Sequence, residues 1–274
     1  MILNDMVIQK CPITVFTKPW KKPGIVELAE IIGNLGFNGV ELAVRPGYQV
    51  EPENALAQLP EAARIFEDNG LKIESIAADM TPGMIEACAT ADVPVLRTML
   101  KLDPELGYHA SVQQFRDDCL ALKSTIQGTQ VKIGLQNHCG HFVGSAIGLM
   151  EAIAPLPDYV VAVLDLAHTA LAGELEPYAL EIAKPRLAMV NLKNATYVPG
   201  ERNEHGEMVW THSWVQGKDG LTSWSLVVDL LNKHNYTGPI CLTAEYKNDQ
   251  GQPVTEEATI PWIRKDLDFL KSLL

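Results

Sequence analysis

Short apolar, β-branched runs alternate along the chain with longer stretches whose apolar positions recur at helical spacing. The first pair is Ile13–Phe16, read as a strand, and Gly24–Leu35, where Ile25, Leu28, Ala29, Ile32 and Leu35 fall on one helical face. Gly39–Leu42 precedes a helix over Leu59–Asn69, stopped by Gly70. Leu71–Ala77 leads to a short helix around Met84–Ala89, and Val95–Leu100 to a helix over Ser111–Ile126. The second half keeps the rhythm: Val131–Gln136 with Ser145–Ile153, and Val160–Asp165 with a helix near Tyr178–Ala183. Leu187–Lys193 pairs with Ser223–Asn235 across a long loop, and Ile240–Glu245 with Glu256–Leu274.

Strands such as VVAVLDL are almost wholly apolar, which implies burial on both faces and so a parallel sheet. Eight strand–helix units in 274 residues predict an α/β protein, a (β/α)8 TIM barrel spanning 1–274 as a single domain. A doubly wound open sheet is the alternative. It announces itself with a glycine-rich phosphate loop after the first strand; none is present, so no nucleotide cofactor is expected.

Composition narrows the picture. At 47% hydrophobic and 20% charged residues, the chain can bury a sizeable core. No apolar run is long enough for a bilayer, so no membrane partner is expected. The start, MILNDMVIQK, lacks the basic-then-apolar layout of a secretory signal. The five cysteines are scattered without a C-x-x-C pair, which fits reduced thiols and a cytoplasmic location. A net charge of −12 repels a phosphate backbone, so nucleic acid is not expected as a partner.

In a (β/α)8 barrel the working residues sit at the C-terminal ends of the strands. Here those ends carry Lys18; Glu41 and Arg45; Asp79; Arg97; Gln136 and His138; Asp165 and His168; Asn191, Lys193 and Asn194; Glu245 and Lys247. Period-two alternation places Asn191 with Lys193, Glu245 with Lys247, and Gln136 with His138 on shared faces. Asp165 interrupts an apolar strand, where an unpaired carboxylate is costly. It needs a cation, a metal or hydrogen-bond donors, or it caps the following helix. The loop Ala195–Thr222 carries Trp210, His212 and Trp214, read either as a lid and sugar-stacking platform or as a dimer contact. Pro46–Pro52 is a second rim loop.

The segments GFNGVEL (36–42), GLQNHCG (134–140), LDLAH (164–168), VNLKNA (190–195) and YTGPICLTAEY (236–246) resemble the xylose isomerase-like TIM barrels. That family includes the sugar phosphate isomerases and epimerases and, more distantly, endonuclease IV. The resemblance implies a divalent metal, such as Mn2+ or Mg2+, on four side chains. Residue by residue these map to Gln136, Asp165, Asn191 and Glu245. Two depart from the family pattern: Glu has become Gln136 and His has become Asn191. Amide oxygens coordinate hard cations without charge, so a weakened metal site is expected. His168 matches the family's substrate-binding histidine.

The function expected is a sugar, sugar-acid or sugar-phosphate isomerase or epimerase that abstracts a proton next to a carbonyl and passes through an enediolate. Glu245 is the expected base, with its pKa raised by shielding in the barrel mouth, and Glu41 is the other candidate. His168 and Lys193 are expected to orient and polarise substrate oxygens. Lys18, Arg45, Arg97, His138, Trp214 and Lys247 are the expected substrate contacts, the cations suiting an anionic group. A lyase or dehydratase using the same residues remains open, as does a non-catalytic sugar-binding barrel with a decayed metal site. The partner is a small carbohydrate or sugar acid; the resemblance also leaves a homo-oligomer open.

Overall fold

All eight expected strands form, and their alternation decides which residues meet at the barrel axis. The computed structural model describes residues 7–274. The start of the chain, read as lacking a secretory leader, falls largely in residues 1–6, outside the described residues. Strands β1 (Ile13–Phe16), β2 (Gly39–Ala43), β3 (Lys72–Ala77), β4 (Val95–Met99), β5 (Lys132–Gln136), β6 (Val160–Asp165) and β7 (Leu187–Leu192) are followed by a hairpin, β8 (Asn194–Arg202) and β9 (Met208–Val215), and by β10 (Ile240–Leu242). The barrel closes in the order β1-β10-β7-β6-β5-β4-β3-β2 with every pairing parallel. Helices α1 (Ile25–Leu35), α2 (Ala55–Asp68), α3 (Pro82–Thr90), α4 (Tyr108–Ala121), α5 (Lys123–Ile126), α6 (Ala146–Ile153), α7 (Leu166–Leu171), α8 (Glu176–Ala183), α9 (Trp224–Lys233) and α10 (Ile260–Leu273) connect them. This is a (β/α)8 TIM barrel.

Along β6, Val160, Ala162 and Leu164 join the core between barrel and helices, whereas Val163 packs in a smaller cluster inside the barrel. Residues of Val163's parity therefore face inward, and Asp165 is the last of them. The same parity brings Glu41, Ser75, Arg97, Gln136 and Asn191 to the interior, alongside Phe16, Ala43, Ala77, Val95, Met189 and Cys241. The interior is close-packed at β5: a Cβ on Gly134 would lie 2.7 Å from Val163 Cγ2 and 2.9 Å from Val95 Cγ1. The outer layer carries the larger residues, including Trp20, Trp224, Phe66, Leu28 and Ile32, all essentially inaccessible. Each such side chain contributes about 1.5–3 kcal/mol through burial.

Several expectations change. The long loop after β7 is mostly the β8–β9 hairpin, whose register pairs Ala195 with Trp214 and Tyr197 with His212. The expected helix near Tyr178–Ala183 is α8 (Glu176–Ala183), but another, α7, begins at Leu166, directly after Asp165. Strand eight stops at Leu242 rather than Glu245, because Ala244 takes a left-handed backbone conformation at φ 53°. That conformation costs a non-glycine residue about 1 kcal/mol or more. It also breaks the period-two relation expected between Glu245 and Lys247.

Inside the barrel, Glu41 and Arg97 form a fully buried two-pronged ion pair: Arg97 Nε donates to Glu41 Oε1 at 2.9 Å and Nη2 to Oε2 at 2.8 Å. The Ser75 hydroxyl donates to Glu41 Oε1 at 3.2 Å. Arg97→Met leaves Glu41 charged and unpaired at zero exposure. Urea denaturation of that variant is expected to show a loss of about 3–5 kcal/mol, well beyond that of an exposed ion-pair deletion such as Arg64→Met.

Candidate active site at the barrel mouth

Glu245 sits where the strained Ala244 turn delivers it, between two ammonium groups. Lys193 Nζ donates to Oε2 at 2.7 Å, and Lys18 Nζ to Oε1. The Lys193 side chain is itself only 3% exposed, and its Nζ lies 3.5 Å from the centre of the Trp214 ring. Burial opposes ionisation of Glu245, but Lys193 and Lys18 outweigh it and hold its carboxyl well below the usual range. A base with a raised pKa, the role expected of Glu245, does not fit this arrangement. Glu41 fits no better, because both its oxygens are engaged by Arg97.

Beside Glu245 lie Gln136, Asp165 and Asn191, each no more than 5% exposed. Asp165 caps α7, its Oδ1 accepting from the backbone N–H groups of Ala167 at 3.1 Å and His168 at 3.4 Å, so the capping alternative is realised. Its Oδ2 accepts from Gln136 Nε2 at 3.0 Å. Burial pushes the Asp165 carboxyl up to about 6, with Lys193 pulling against that rise. Gln136 Oε1 and Asn191 Oδ1 are buried acceptors with no partner among the described residues. Unmatched buried acceptors are uncommon and point to a donor that arrives with a ligand.

The His138 and His168 rings lie with centroids 4.0 Å apart, tilted by 37°, and the backbone of one residue, Cys139, holds both. His138 Nδ1 lies 2.8 Å from the Cys139 carbonyl, while the Cys139 N–H donates to His168 Nδ1 at 3.2 Å. Burial lowers the pKa of both rings, most strongly that of His168, and Lys193 adds to the effect. Burial also raises the Cys139 thiol. His138, Cys139 and His168 each offer a ligand atom within 4.8 Å of the others. A metal on His168 Nε2 would need the ring proton at Nδ1, where it would oppose the Cys139 N–H. The protonated thiol is a poor ligand as well.

The remaining cations divide. Arg45 has no ion-pair partner among the described residues and lies 5.8 Å from the Phe16 ring centre. Together with Asp79, Arg97, Lys101 and Phe142 it lines a cavity of about 550 Å³ over the ends of β2–β4. Its lining does not include Glu245, Lys18, Lys193, Asp165, His138 or His168. Lys247 does not join Glu245: it lies in β11 (Tyr246–Lys247), paired with β12 (Pro253–Val254), and Nζ donates to the His212 carbonyl at 3.1 Å. It thereby ties down β9. Trp214 reaches the site edge-on to His168, with centroids 5.1 Å apart, while Trp210, further out on the hairpin, is 62% exposed. Sequence reasoning missed Phe16, Tyr48 and Cys139. Tyr48, whose hydroxyl donates to the Lys18 carbonyl at 3.2 Å, was legible only as part of a rim loop. The role of Cys139 is carried by its backbone and leaves no signal in residue type.

The fold and the placement of these side chains define a barrel enzyme class whose reactions occur at the C-terminal mouth. Residues 29–273 match the family described as Xylose isomerase-like TIM barrel, and the chain belongs to that family. No curated protein sequence matches it. Among solved structures it resembles D-allulose 3-epimerase from Methylomonas sp., with TM-score 0.73, 11% identity and coverage of 96% of this chain and 98% of that one. It also resembles 3-keto-D-glucoside 4-epimerase YcjR from E. coli, with TM-score 0.70, 14% identity and coverage of 96% and 99%. A third likeness is the probable 3-DHS dehydratase AsbF of Bacillus anthracis, at TM-score 0.70, 12% identity and coverage of 95% and 98%. At 11–14% identity these three likenesses show the fold. Among the described residues no helix is long and apolar enough to cross a membrane.

Two expected outcomes follow from this geometry. Gln136→Glu places a third carboxylate beside Asp165 and is expected to raise Mn2+ affinity about tenfold or more in an EPR titration. Equal affinities for variant and wild type would mean that a carboxylate at 136 creates no ion site among these four residues. The second concerns His168, which burial keeps neutral when folded. The unfolded chain takes up a proton below its ordinary pKa of about 6.5, so the stability this ring contributes is present above that pH and lost below it. Urea unfolding should show wild type losing about 1 kcal/mol relative to His168→Gln between about pH 7.5 and about pH 5.5. Asp165 acts in the opposite sense below about 6, but it is present in both proteins and cancels in the difference.

Proposed function

We propose that this chain is a sugar isomerase or epimerase that forms an enediolate with the Lys18–Lys193 pair in the place where relatives hold a divalent metal. The observation that carries the reading is Glu245 held between the two lysines. The four residues that map to the family's metal ligands do not fit a divalent ion: one of the only two carboxylates is already neutralised by two ammonium groups. The Gln136 amide turns a nitrogen toward the other. A dication here would face Lys193 at close range in a water-poor site, where such repulsion is weakly screened.

Ammonium groups aimed at a developing alkoxide do the same electrostatic work without a metal. As the proton next to the carbonyl leaves, charge builds on the carbonyl oxygen, and Lys193, buried and braced on Trp214, is placed to receive it. Glu245 then serves as the counterion that fixes both lysines. Gln136 Oε1 and Asn191 Oδ1 suit the donors of sugar hydroxyls. Arg45 and Lys101, which line the cavity over β2–β4, suit a carboxylate or phosphate at the far end of the substrate.

The test is solvent deuterium incorporation into a panel of aldoses, ketoses, sugar acids and sugar phosphates, run after treatment with EDTA. Exchange at the carbon next to the carbonyl is expected to survive chelation and to fall about 100- to 1,000-fold in Lys193→Met. No exchange into any member overturns the enzyme reading. Exchange abolished by EDTA and restored by Mn2+ overturns the lysine reading alone.

A further inference from the structure

Proton abstraction needs a base, and the carboxylates of Glu245, Glu41 and Asp165 are otherwise engaged. Glu245 is held ionised by two lysines, Glu41 is clamped by Arg97, and Asp165 caps α7 while accepting from Gln136. The backbone of Cys139 supplies an alternative by fixing the protons of the two neighbouring imidazoles in opposite senses. Its carbonyl can only accept, so His138 Nδ1, 2.8 Å away, carries the proton and Nε2 presents a lone pair. Its N–H can only donate, so His168 Nδ1, 3.2 Å away, is the bare nitrogen and Nε2 carries the proton. Neither Nε2 makes a hydrogen bond among the described residues; that of His168 is fully buried and lies 3.7 Å from Asp165 Oδ2.

Resting on the reading above, we propose that His138 Nε2 is the proton-abstracting base, with neutral His168 fixed against it. In the step, His138 Nε2 bonds to the proton of the carbon next to the carbonyl. The C–H pair becomes the enediolate C=C, and the carbonyl π pair moves onto oxygen, which the reading above sets against Lys193. His168 keeps its proton, since losing it would leave an imidazolate. The His138 imidazolium returns its proton to the neighbouring carbon on the same face, while the hydroxyl proton passes to the first oxygen. A single base on one face favours aldose–ketose isomerisation over epimerisation, and so narrows the substrate class to α-hydroxy aldehydes and ketones.

The arrangement can be read without any substrate. Long-range 15N–1H spectra of 15N-histidine-labelled protein at about pH 7.5 should show His138 protonated at Nδ1 and His168 at Nε2. Cys139→Ala should leave both unchanged, because the backbone sets them. The reverse tautomer for either ring, or a change in Cys139→Ala, overturns the inference. In the deuterium assay, with the panel sugar that exchanges fastest, His138→Gln should lower exchange about 100- to 10,000-fold. Added imidazole should restore part of it. Unchanged exchange in His138→Gln overturns the role of His138 while leaving the isomerase reading intact. Absence of exchange in wild type overturns the reading itself, with the tautomers still measured.

Discussion

A carboxylate cannot stay ionised at a desolvated barrel mouth unless cations share its space, and the site is arranged around that requirement at Glu245. Lys193 comes from the end of β7 and Lys18 from the end of β1, so the carboxylate beyond β10 links the strands on either side of its own. Neither lysine can move far without exposing Glu245 to an uncompensated charge. Trp214 closes the arrangement by covering Lys193 with its ring, which places the β8–β9 hairpin over the site. The hairpin is secured in turn by Lys247 reaching the His212 carbonyl.

Deeper in the barrel a second charge balance supports the first. The Glu41–Arg97 pair occupies space that a barrel commonly fills with branched aliphatic side chains. Its worth for stability is modest compared with an apolar packing of the same volume, but half of it alone would be ruinous. Arg97 stays beneath the mouth, 4.8 Å from the Phe16 ring centre, while its guanidinium also borders the cavity over β2–β4. The interior thus passes from apolar residues such as Cys241 and Met189, through this pair, to the polar mouth. The polarity that serves chemistry is confined to one end.

Much of this was legible in the order of residues. Strand parity was readable because burial on both faces makes the apolar run continuous, so a polar residue at its end must face either the axis or the helices. Asp165, Gln136 and Asn191 were found that way. Partners in space were harder. Glu41 and Arg97 are 56 positions apart, and nothing local to either says that they meet. The pKa of Glu245 was misjudged for the same reason: burial alone raises it, and only the positions of Lys18 and Lys193 reverse the sign. The β8–β9 hairpin went unread because its strands, NATYVPGER and MVWTHSWV, are half exposed and include proline and charge. Helix α7 was hidden behind Asp165, whose role as a cap was weighed but not carried into the element assignment.

The amide at Gln136 and the lysines at Glu245 make sense as parts of one solution. With Gln136 neutral, the mouth holds the charges of Asp165 and Glu245 against those of Lys18 and Lys193, and the sum is zero. A glutamate at 136 would add a negative charge beside Asp165, whose carboxyl burial has already pushed up to about 6. Two carboxylates so placed would either share a proton or demand a cation of higher charge. The relatives' glutamate and divalent metal meet that demand together. Here the amide removes the demand and gives Asp165 a hydrogen bond in its place, while the fixed ammonium groups keep a positive potential at the mouth. Exchanging either half alone leaves the mouth with a net charge that a bound ion or a proton must offset.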